Sequence, residues 1–591
     1  MKKRYSLIAF LMFAMASLTS CEDFLECPPY DSIDDTEYWQ NESHIRTYSY
    51  GFYPTFFNGF GTSGLIGGSS YGYGDSFNDD IGGTTQSEFT PIRVPDSDSG
   101  WDFGVIRKAN YMLEKVYEVP GLSDAALKHW VGISRFFRGV AYANLVFSYG
   151  DVPFFNRRAD VGEKELLYKD RDPRTVVVDS IMSDFKFALE NVRTDDGKLT
   201  INRYVVAAMV SRLMLREGTF LKYHNKGIDA NGVDVASKAI ALSRTAALEV
   251  MNSNKFAISN SYSALFASED LASNNEVIFY RQYLEGVLSH CVLTYCNAEG
   301  QAGGNKSLLD SYLMKDGKPI GLSATWDGTT ATGYFKNRDP RITETFRAKY
   351  YLIGEDNTPF NYSRTGFSMC KFMDDSKGGV TDLKYKQQNN ITDCPLLRYA
   401  EVLLNYAEAC YELGELTQAD LDKSINLIRA RNGVEMPALE MVGDAPAVNG
   451  VVFDDPKRLE LNPAGDVSSL LWEIRRERRV EMCFEGVRYS DLKRWKKLDY
   501  MYNGVNPDIR LGVYIDYADY PKVDTKEVTI YGGGTKGYYL SNTGAQRQAP
   551  QDKNYVKPVP KDQIQLYKDN GYVLSQTEEW VEPVEEEGTE E

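Results

Sequence analysis

Apolar side chains recur every three or four residues in four separate blocks of the chain. The blocks are residues 123–148, 202–223, 236–251 and 396–413. This period places the apolar side chains on one face of an α-helix. Ser123 stands before the first block as an N-cap, and Thr417, after Gly414, is placed to cap a partner helix behind the last block. The pattern predicts an α-helix in each block and a helix hairpin formed by the last block and its partner.

The segments between the helical blocks show neither a helical nor a strand period. Residues 59–104, 260–395 and 500–591 are rich in Gly, Asp and aromatic residues and contain only short apolar runs. A long irregular segment in a compact protein is often a binding loop. We interpret the first of these segments as such a loop, and a flexible insertion is the alternative.

Residues 471–499 carry an unusual charge pattern. Glutamates recur every four residues in this stretch, at positions Glu473, Glu477, Glu481 and Glu485. They would share one stripe of a helix that ends near Gly486, and Ser490 would cap a second helix. Like charges at this spacing destabilise a helix by roughly 0.2–0.5 kcal/mol per pair, so cations must neutralise the stripe.

Arginines in the same stretch are available for this neutralisation. Arg476, Arg478 and Arg488 each lie three residues from a stripe glutamate, so we expect them to pair locally. Arg475 and Arg479 would then pair with neighbouring helices. A lattice of Arg–Glu pairs between helices is the interpretation we favour, over a solvated charged helix and over a basic nucleic-acid surface. The chain has 84 acidic and 66 basic residues, and this balance argues against nucleic acid as a partner.

The N-terminus has the order of a bacterial lipoprotein signal. Basic residues at positions 2–4 precede an apolar run over 7–18, which is too short to span a bilayer and suits a signal-peptide core. The run ends in Leu18-Thr19-Ser20-Cys21, which resembles a lipobox. We predict a signal peptide over 1–20, lipidation of Cys21 and a polar tether over 21–40. An ordinary secretory signal with an unrelated cysteine is the alternative.

Several motifs together resemble the SusD/RagB family of outer-membrane nutrient-binding lipoproteins. The run ExRRxE…EGxRxxDLxRW of that family is carried here by Glu477, Arg478, Arg479, Glu481, Glu485, Gly486, Arg488, Asp491, Leu492, Arg494 and Trp495. Further matches are YGDVP at 149–153, NRDPR at 337–341, LRYAEVLLNYAEA at 397–409 and YVKPVPKDQIQL at 555–566. The resemblance therefore touches nearly the full length. Within the motif we predict structural roles for Glu477, Arg479, Glu481, Arg488 and Trp495.

The resemblance implies a mostly α-helical scaffold of tetratricopeptide-like helix pairs with long irregular loops. It divides the chain into an N-terminal helical region, 41–260, and a C-terminal region, 261–591, that contains the helical block 396–500. It also implies a non-enzymatic role at the outer face of the outer membrane, without a cofactor. The protein would capture an oligosaccharide or other nutrient and deliver it to a TonB-dependent transporter of the SusC type.

Motifs of catalysis and metal binding are absent from the sequence. There is no GxSxG, P-loop or Rossmann fingerprint, and none of the four histidines has HExxH spacing. We therefore predict no catalytic residue and no metal. Two other classes stay open: a secreted all-helical glycosidase, because carboxylates are plentiful, and a scaffold lipoprotein that binds only protein. Of the eight cysteines, Cys291 with Cys296 or Cys370 with Cys394 could pair in an oxidising compartment.

The loops contain the residue types that bind sugars. A sugar presents a face of C–H groups to an aromatic ring and an edge of hydroxyls to Asp, Asn or Arg side chains. The ligand-binding residues that we predict are Tyr71, Tyr73, Asp75, Asn78 and Trp101 in the first loop and Trp326 and Tyr334 in the second. Trp101 and Trp326 are the strongest candidates of this set. Both lie outside the helical stripes, and an exposed tryptophan ring would suit a sugar face. Ordinary loop packing is the alternative for each residue.

The lipidation of Cys21 is testable by a single substitution. In the variant Cys21→Ala the acyl acceptor is gone, so we expect the protein to leave the membrane fraction or to stay unprocessed. Fractionation and fatty-acid labelling of the wild type and the variant measure this. Equal labelling and equal membrane retention of the variant would contradict the assignment.

Overall fold

The computed structural model describes residues 38–60, 77–82, 87–195, 197–292, 303–328, 333–348, 352, 363–373, 389–541 and 546–581. Over these residues the protein is mostly helical, as the resemblance to the SusD/RagB family implies. None of the helices within them is both long enough and apolar enough to cross a bilayer.

The helices are short to medium in length, with three long ones in the N-terminal half. They are α1 Glu42–Tyr50, α2 Tyr53–Phe56, α3 Gly104–Val116, α4 Asp124–Tyr149, α5 Lys164–Leu167, α6 Arg174–Asn191, α7 Arg203–Tyr223, α8 Val235–Met251, α9 Ala264–Ala267, α10 Lys306–Ser311, α11 Arg341–Thr345, α12 Tyr399–Glu412, α13 Gln418–Asp422, α14 Ile425–Arg429, α15 Pro456–Leu461, α16 Ser469–Glu481, α17 Arg488–Arg494 and α18 Lys561–Asp569.

The strands are short and form small antiparallel sheets beside the helices. They are β1 Ile81–Gly82, β2 Val277–Arg281, β3 Gly303–Gly304, β4 Cys394–Arg398, β5 Glu440–Val442, β6 Ala445–Val448, β7 Val451–Val452, β8 Leu511–Asp516, β9 Val528–Ile530 and β10 Lys536–Ser541. β1 pairs with β3 and β2 with β4, while the three-stranded sheets have the orders β5-β6-β7 and β8-β10-β9. In the β2–β4 sheet Val277 lies opposite Arg398, which brings that arginine beside the start of α12.

The helices pack in pairs around one large apolar core. α4 lies against α6, α7 against α8, and α12 against both α7 and α8, while α16 packs on α12. α4 and α6 approach closely at Gly139, where a Cβ would lie 2.6 Å from the ring of Phe185. The buried apolar side chains of these helices belong to one continuous cluster. The predicted scaffold of paired helices is therefore confirmed.

Local capping signals located several helix ends correctly. Ser123 caps α4 and accepts a hydrogen bond from the Ala126 amide. Thr417 caps α13 through a complete capping box with Asp420. The partner of α12 differs from the prediction, because it is broken into two short helices, α13 and α14, on either side of Ser424. Residues 396–398, predicted as the start of a helix, belong to β4.

The charged stretch folds differently from its prediction at its centre. α16 ends at Glu481, before Gly486, so Glu485 lies outside the helix. The chain turns there through Phe484 and Gly486, which have φ values of 60° and 74°. α17 begins at Arg488, and Ser490 is no N-cap, since its hydroxyl donates back to the Val487 carbonyl within the first turn.

Candidate functional site

The glutamate stripe is buried and is neutralised by cations from distant segments. Glu481 is fully buried and lies 2.6 Å from Arg398 and 2.7 Å from Arg431. Glu477 lies 2.7 Å from Arg341. These arginines stand on α11, at the end of β4 and after α14, so α16 is tied to three separate parts of the chain. The position of these pairs inside the protein does not fit a solvated charged helix.

The arginines of the charged stretch point to other partners than the stripe. Arg479 donates to Asp80 at 2.7 Å, and Arg488 donates to Asp79 at 2.7 and 2.6 Å. Burial alone would raise the pKa of Asp79, but Arg479 and Arg488 outweigh it and hold that pKa below its usual value. The first loop is thereby fastened to α16 and α17 at Asp79 and Asp80.

Of the three local arginine–glutamate pairs that the sequence predicts, the structure shows one. Arg476 does pair with Glu473, at 3.0 Å. Arg478, expected at Glu481, donates to Asp491 at 2.7 Å instead. Arg488 turns away from Glu485, because the chain reverses direction between α16 and α17.

Trp495, which directly follows α17, extends this network to α12. Its indole N–H donates to Glu408 of α12 at 2.7 Å, and Arg494 donates to the same carboxylate. Trp495 is only 2% exposed. Its contacts join α17 to the α12 helix.

A cavity of about 220 Å³ lies against the arginine side of α16, and we call it the arginine pocket. Its cationic wall consists of Lys306, Lys457, Arg475, Arg476, Arg479 and Arg488, and its apolar wall includes Pro319, Ile320, Pro456 and Leu461. Trp472, Trp495 and Tyr500 also line it. The pocket therefore joins α10, α15 and α16 with the loop that follows α10.

The second predicted loop reaches this pocket through hydrogen bonds. The ring of Trp326 packs edge-on against Tyr334, with centroids 5.2 Å apart. The Tyr334 hydroxyl donates to Asp310, and Asp310 accepts from Lys306 of the pocket at 2.6 Å. Trp326 is half-buried. It is thus held firmly in place while part of its ring stays accessible.

A second, open cavity of about 560 Å³ lies at the surface, and we call it the tyrosine groove. It is lined by Tyr502, Asn503, Gly504, Pro507, Arg510, Tyr531, Gln546, Arg547, Gln548 and Ala549. Tyr531 is 56% exposed, which is unusual for so large an aromatic side chain. Aromatic rings beside amide and guanidinium donors are a combination that can hold a polyhydroxylated ligand.

The structure separates the predicted ligand-binding residues into three groups. Trp101 is 9% exposed, with its ring packed on Tyr149, so it offers no open face. Asn78 and Tyr334 are also buried, and Asn78 accepts from the Asp80 amide at 2.8 Å as part of a turn. Trp326 keeps a partly exposed ring. Tyr71, Tyr73 and Asp75, like Cys21, lie outside the described residues.

Reasoning from the sequence missed the residues that shape both cavities. Tyr502 and Tyr531 lie in the segment 500–591, in which the sequence predicts no individual ligand-binding residue. Arg475 lies 3.7 Å from Glu412 of α12, as its predicted pairing with a neighbouring helix requires, but its place in the lining of the arginine pocket was not predicted. One signal could have identified it, because no carboxylate stands three or four residues away on either side.

The described part of the chain contains neither a group of side chains placed to hold a metal ion nor a disulfide. Among those residues no group of three or more His, Cys, Asp and Glu side chains is placed to hold an ion. Cys370 and Cys394 are both free thiols, so this disulfide is not formed. The other proposed pair includes Cys296, which lies outside the described residues.

Comparison with known proteins identifies a family. The sequence profile of the SusD family matches residues 292–580. The SusD-like protein P38 of Formosa agariphila is 22% identical over 519 residues, which cover 84% of this chain and 92% of that protein.

Solved structures share the fold along nearly the whole chain. A SusD-like carbohydrate-binding protein from Bacteroides fragilis superposes with a TM-score of 0.63 at 20% identity and covers 90% of this chain and 99% of its own. The surface glycan-binding protein A from Bacteroides fluxus gives a TM-score of 0.55 at 15% identity, with 91% and 99% covered. At these identities the likeness shows the fold.

The two predicted tryptophans should differ in their effect on stability. Trp101→Ala removes a ring from the core, and we expect it to lower the free energy of unfolding by about 3–5 kcal/mol. Trp326→Ala removes a half-buried ring and should cost clearly less. Chemical denaturation of both variants measures this difference. Equal losses would contradict the contrast in burial.

Glu473 and Glu477 lie one turn apart on α16. Replacing each of them by a neutral glutamine should have opposite effects on stability. Burial raises the pKa of Glu473 from 4.5 to about 7. Burial also acts on Glu477, but Arg341 and Arg429 outweigh it and hold that pKa below its usual value. Because folded Glu473 keeps its proton to higher pH than the unfolded chain, its contribution to stability falls as the pH rises from about 4.5 to about 7.

The variant Glu473→Gln should therefore gain stability relative to the wild type as the pH rises. We expect a small difference near pH 5 and a gain of up to about 3 kcal/mol near pH 8. The matched variant Glu477→Gln should instead lose about 3–5 kcal/mol at both pH values, since it leaves two arginines short of a counter-charge. Denaturation curves at the two pH values measure both. A Glu473→Gln variant that is destabilised near pH 8 would show that Glu473 is ionised and paired.

Proposed function

Because this chain belongs to the SusD family, we propose that it captures an oligosaccharide at the cell surface and passes it to a TonB-dependent transporter of the SusC type. The protein would be anchored by lipid on Cys21 in the outer membrane and would face the exterior. It would act by binding alone, without catalysis or a cofactor.

The tyrosine groove is the observation that carries the proposal. It is open, it presents the exposed ring of Tyr531, and it is bordered by the amide side chains of Gln546 and Gln548, both exposed. An exposed ring gains by covering the C–H face of a sugar, while amide groups can bond the hydroxyl edge. The similar proteins from Bacteroides fragilis and Bacteroides fluxus, named as carbohydrate-binding and glycan-binding, support the same ligand class.

Part of the first predicted loop lies beside this groove. Arg547, which lines the groove, donates to the Asn78 carbonyl, and its guanidinium carbon lies 5.0 Å from the Phe77 ring centroid. Tyr71, Tyr73 and Asp75 precede this anchor by a few residues in the sequence. We include them in the proposed glycan site, together with Trp326, on the strength of their chemistry.

Screening the protein against a panel of glycans distinguishes the proposal from the glycosidase alternative and from the protein-scaffold alternative. An enzyme would release shorter products, and a protein scaffold would bind no glycan. Under the proposal the panel yields at least one polysaccharide that is retained and remains intact. Co-purification of a TonB-dependent transporter with the detergent-solubilised full-length protein tests the delivery step.

The groove assignment is tested by removing its exposed ring. We expect Tyr531→Ala, combined with Trp326→Ala, to weaken binding of a polysaccharide retained by the wild type by at least about tenfold, or 1.4 kcal/mol. The fold should be unchanged, because neither ring is fully buried. Calorimetry with that polysaccharide measures the affinity.

A matched control variant is available on the same chain. Tyr117 is 63% exposed and does not line the groove, so Tyr117→Ala should bind as the wild type does. Unchanged affinity of the double variant would move the glycan site away from Tyr531 and Trp326. Equal weakening in the double variant and in Tyr117→Ala would show a general effect rather than a site.

A further inference from the structure

We propose that the arginine pocket binds a small organic carboxylate, of the size of a single sugar acid. This site differs from the tyrosine groove in place and in chemistry. It rests on the geometry of the pocket and does not require the proposed glycan function.

The pocket has a size and an opening that suit a small ligand. Its volume of about 220 Å³ is below the about 300–1,000 Å³ of sites for drug-sized ligands. It is much larger than the about 30 Å³ that one water molecule occupies in the liquid. Gly321, Pro456 and Glu460 line it and are exposed, so a ligand can enter from solvent between them.

Five of the six cations that line the pocket, all but Arg475, have a close carboxylate partner. Arg479 and Arg488 bind Asp80 and Asp79. Lys306 lies 2.6 Å from Asp310. Lys457 and Lys306 share Asp508, at 2.8 and 3.2 Å. These pairs also account for the pocket carboxylates Asp310, Asp508 and Glu460, the last of which lies 2.9 Å from Lys457.

Arg475 is different, because its ion pair is long and the carboxylate is shared with other groups. The carboxylate within 4 Å is Glu412, at 3.7 Å, and Glu412 is already bonded to Lys222 and to the Tyr223 hydroxyl. Among the described residues none forms a hydrogen bond with Nε or Nη2 of Arg475, although the side chain is only 6% exposed. Its guanidinium lies over the Trp495 ring at 4.4 Å. A buried guanidinium without acceptors is costly, and a ligand carboxylate would relieve that cost.

Arg476 adds a second donor at the same wall. Its Nη2 atom binds Asp455 and Glu473, but within the described part of the chain Nη1 has no hydrogen-bond partner. An arginine N–H donor without a partner can bond an oxygen of a carboxylate, for which arginine is well suited.

The apolar and aromatic residues that line the pocket indicate that the anion is part of an organic molecule. Pro319, Ile320 and Leu461 are apolar, and Trp472 and Tyr500 add aromatic surface. An inorganic ion gains nothing from such a wall, whereas the ring carbons of a sugar acid would be covered by it. The pocket therefore combines an anion-binding side with a side that covers carbon.

Calorimetry on the full-length protein tests this assignment with three probes. Glucuronate carries the carboxylate, glucose has the same ring without it, and sulfate supplies an oxyanion without the ring. We expect saturable binding of glucuronate and little or none of glucose or sulfate. Arg475→Gln removes the guanidinium charge and should weaken glucuronate binding by about tenfold or more.

Three further variants keep the test decisive. Ile320→Trp fills the pocket without changing its charge and should also abolish glucuronate binding, even if Arg475→Gln folds poorly. Arg157→Gln removes an exposed arginine outside the pocket and should bind glucuronate as the wild type does. Tyr531→Ala should leave glucuronate binding unchanged, so that failure of the groove and failure of the pocket are distinguishable.

Several results would overturn the proposal. A pocket that holds only water would give no saturable heat with glucuronate. Equal binding of glucose would remove the role of the carboxylate, and binding of sulfate alone would reduce the pocket to an inorganic anion site. Unchanged glucuronate affinity in Arg475→Gln and Ile320→Trp would place the binding elsewhere.

Discussion

The fold depends on a stripe of buried glutamates that is stable only when arginines from other parts of the chain reach it. A carboxylate taken out of water without a counter-charge costs several kcal/mol. Glu477 and Glu481 of α16 are buried, and their partners Arg341, Arg398 and Arg431 stand on α11, at the end of β4 and beyond α14. Helix α16 can therefore be buried only once these three segments are in their final places.

The same network gives the binding side of the molecule a rigid foundation. Arg479 and Arg488 face away from the stripe and hold Asp79 and Asp80 of the first loop. Arg547 then binds the Asn78 carbonyl from the tyrosine groove. A loop that buried charge pairs fix at one point loses less conformational entropy when a ligand orders the rest of it. The ion pairs thus support binding through preorganisation as well as stability.

The sequence predicted those features of the structure that depend on residues close together along the chain. Ser123 caps α4 because capping needs only the four consecutive residues from Ser123 to Ala126. Arg488 was misassigned to Glu485, since spacing reports on residues three or four positions away and cannot register the reversal after α16. Trp101 was expected at the surface, yet its ring meets Tyr149, and that contact depends on the packing of α4. The aromatic character of the loops was therefore predictable, but which rings stay exposed was not.

The two proposed ligand sites share the segment 500–510, and they would bind by different physics. Tyr500 and Asp508 line the arginine pocket, while Tyr502 and Arg510 line the tyrosine groove. In the open groove the contacts would stay in a high dielectric, so exposed rings would accept several sugars with modest discrimination. In the pocket, Arg475 is removed from water, and the same Coulomb attraction is stronger there. Under the two proposals, a ligand with an acidic group would thus be distinguished from a neutral one chiefly where the charge is buried, whereas the open groove would recognise the shape of a longer glycan.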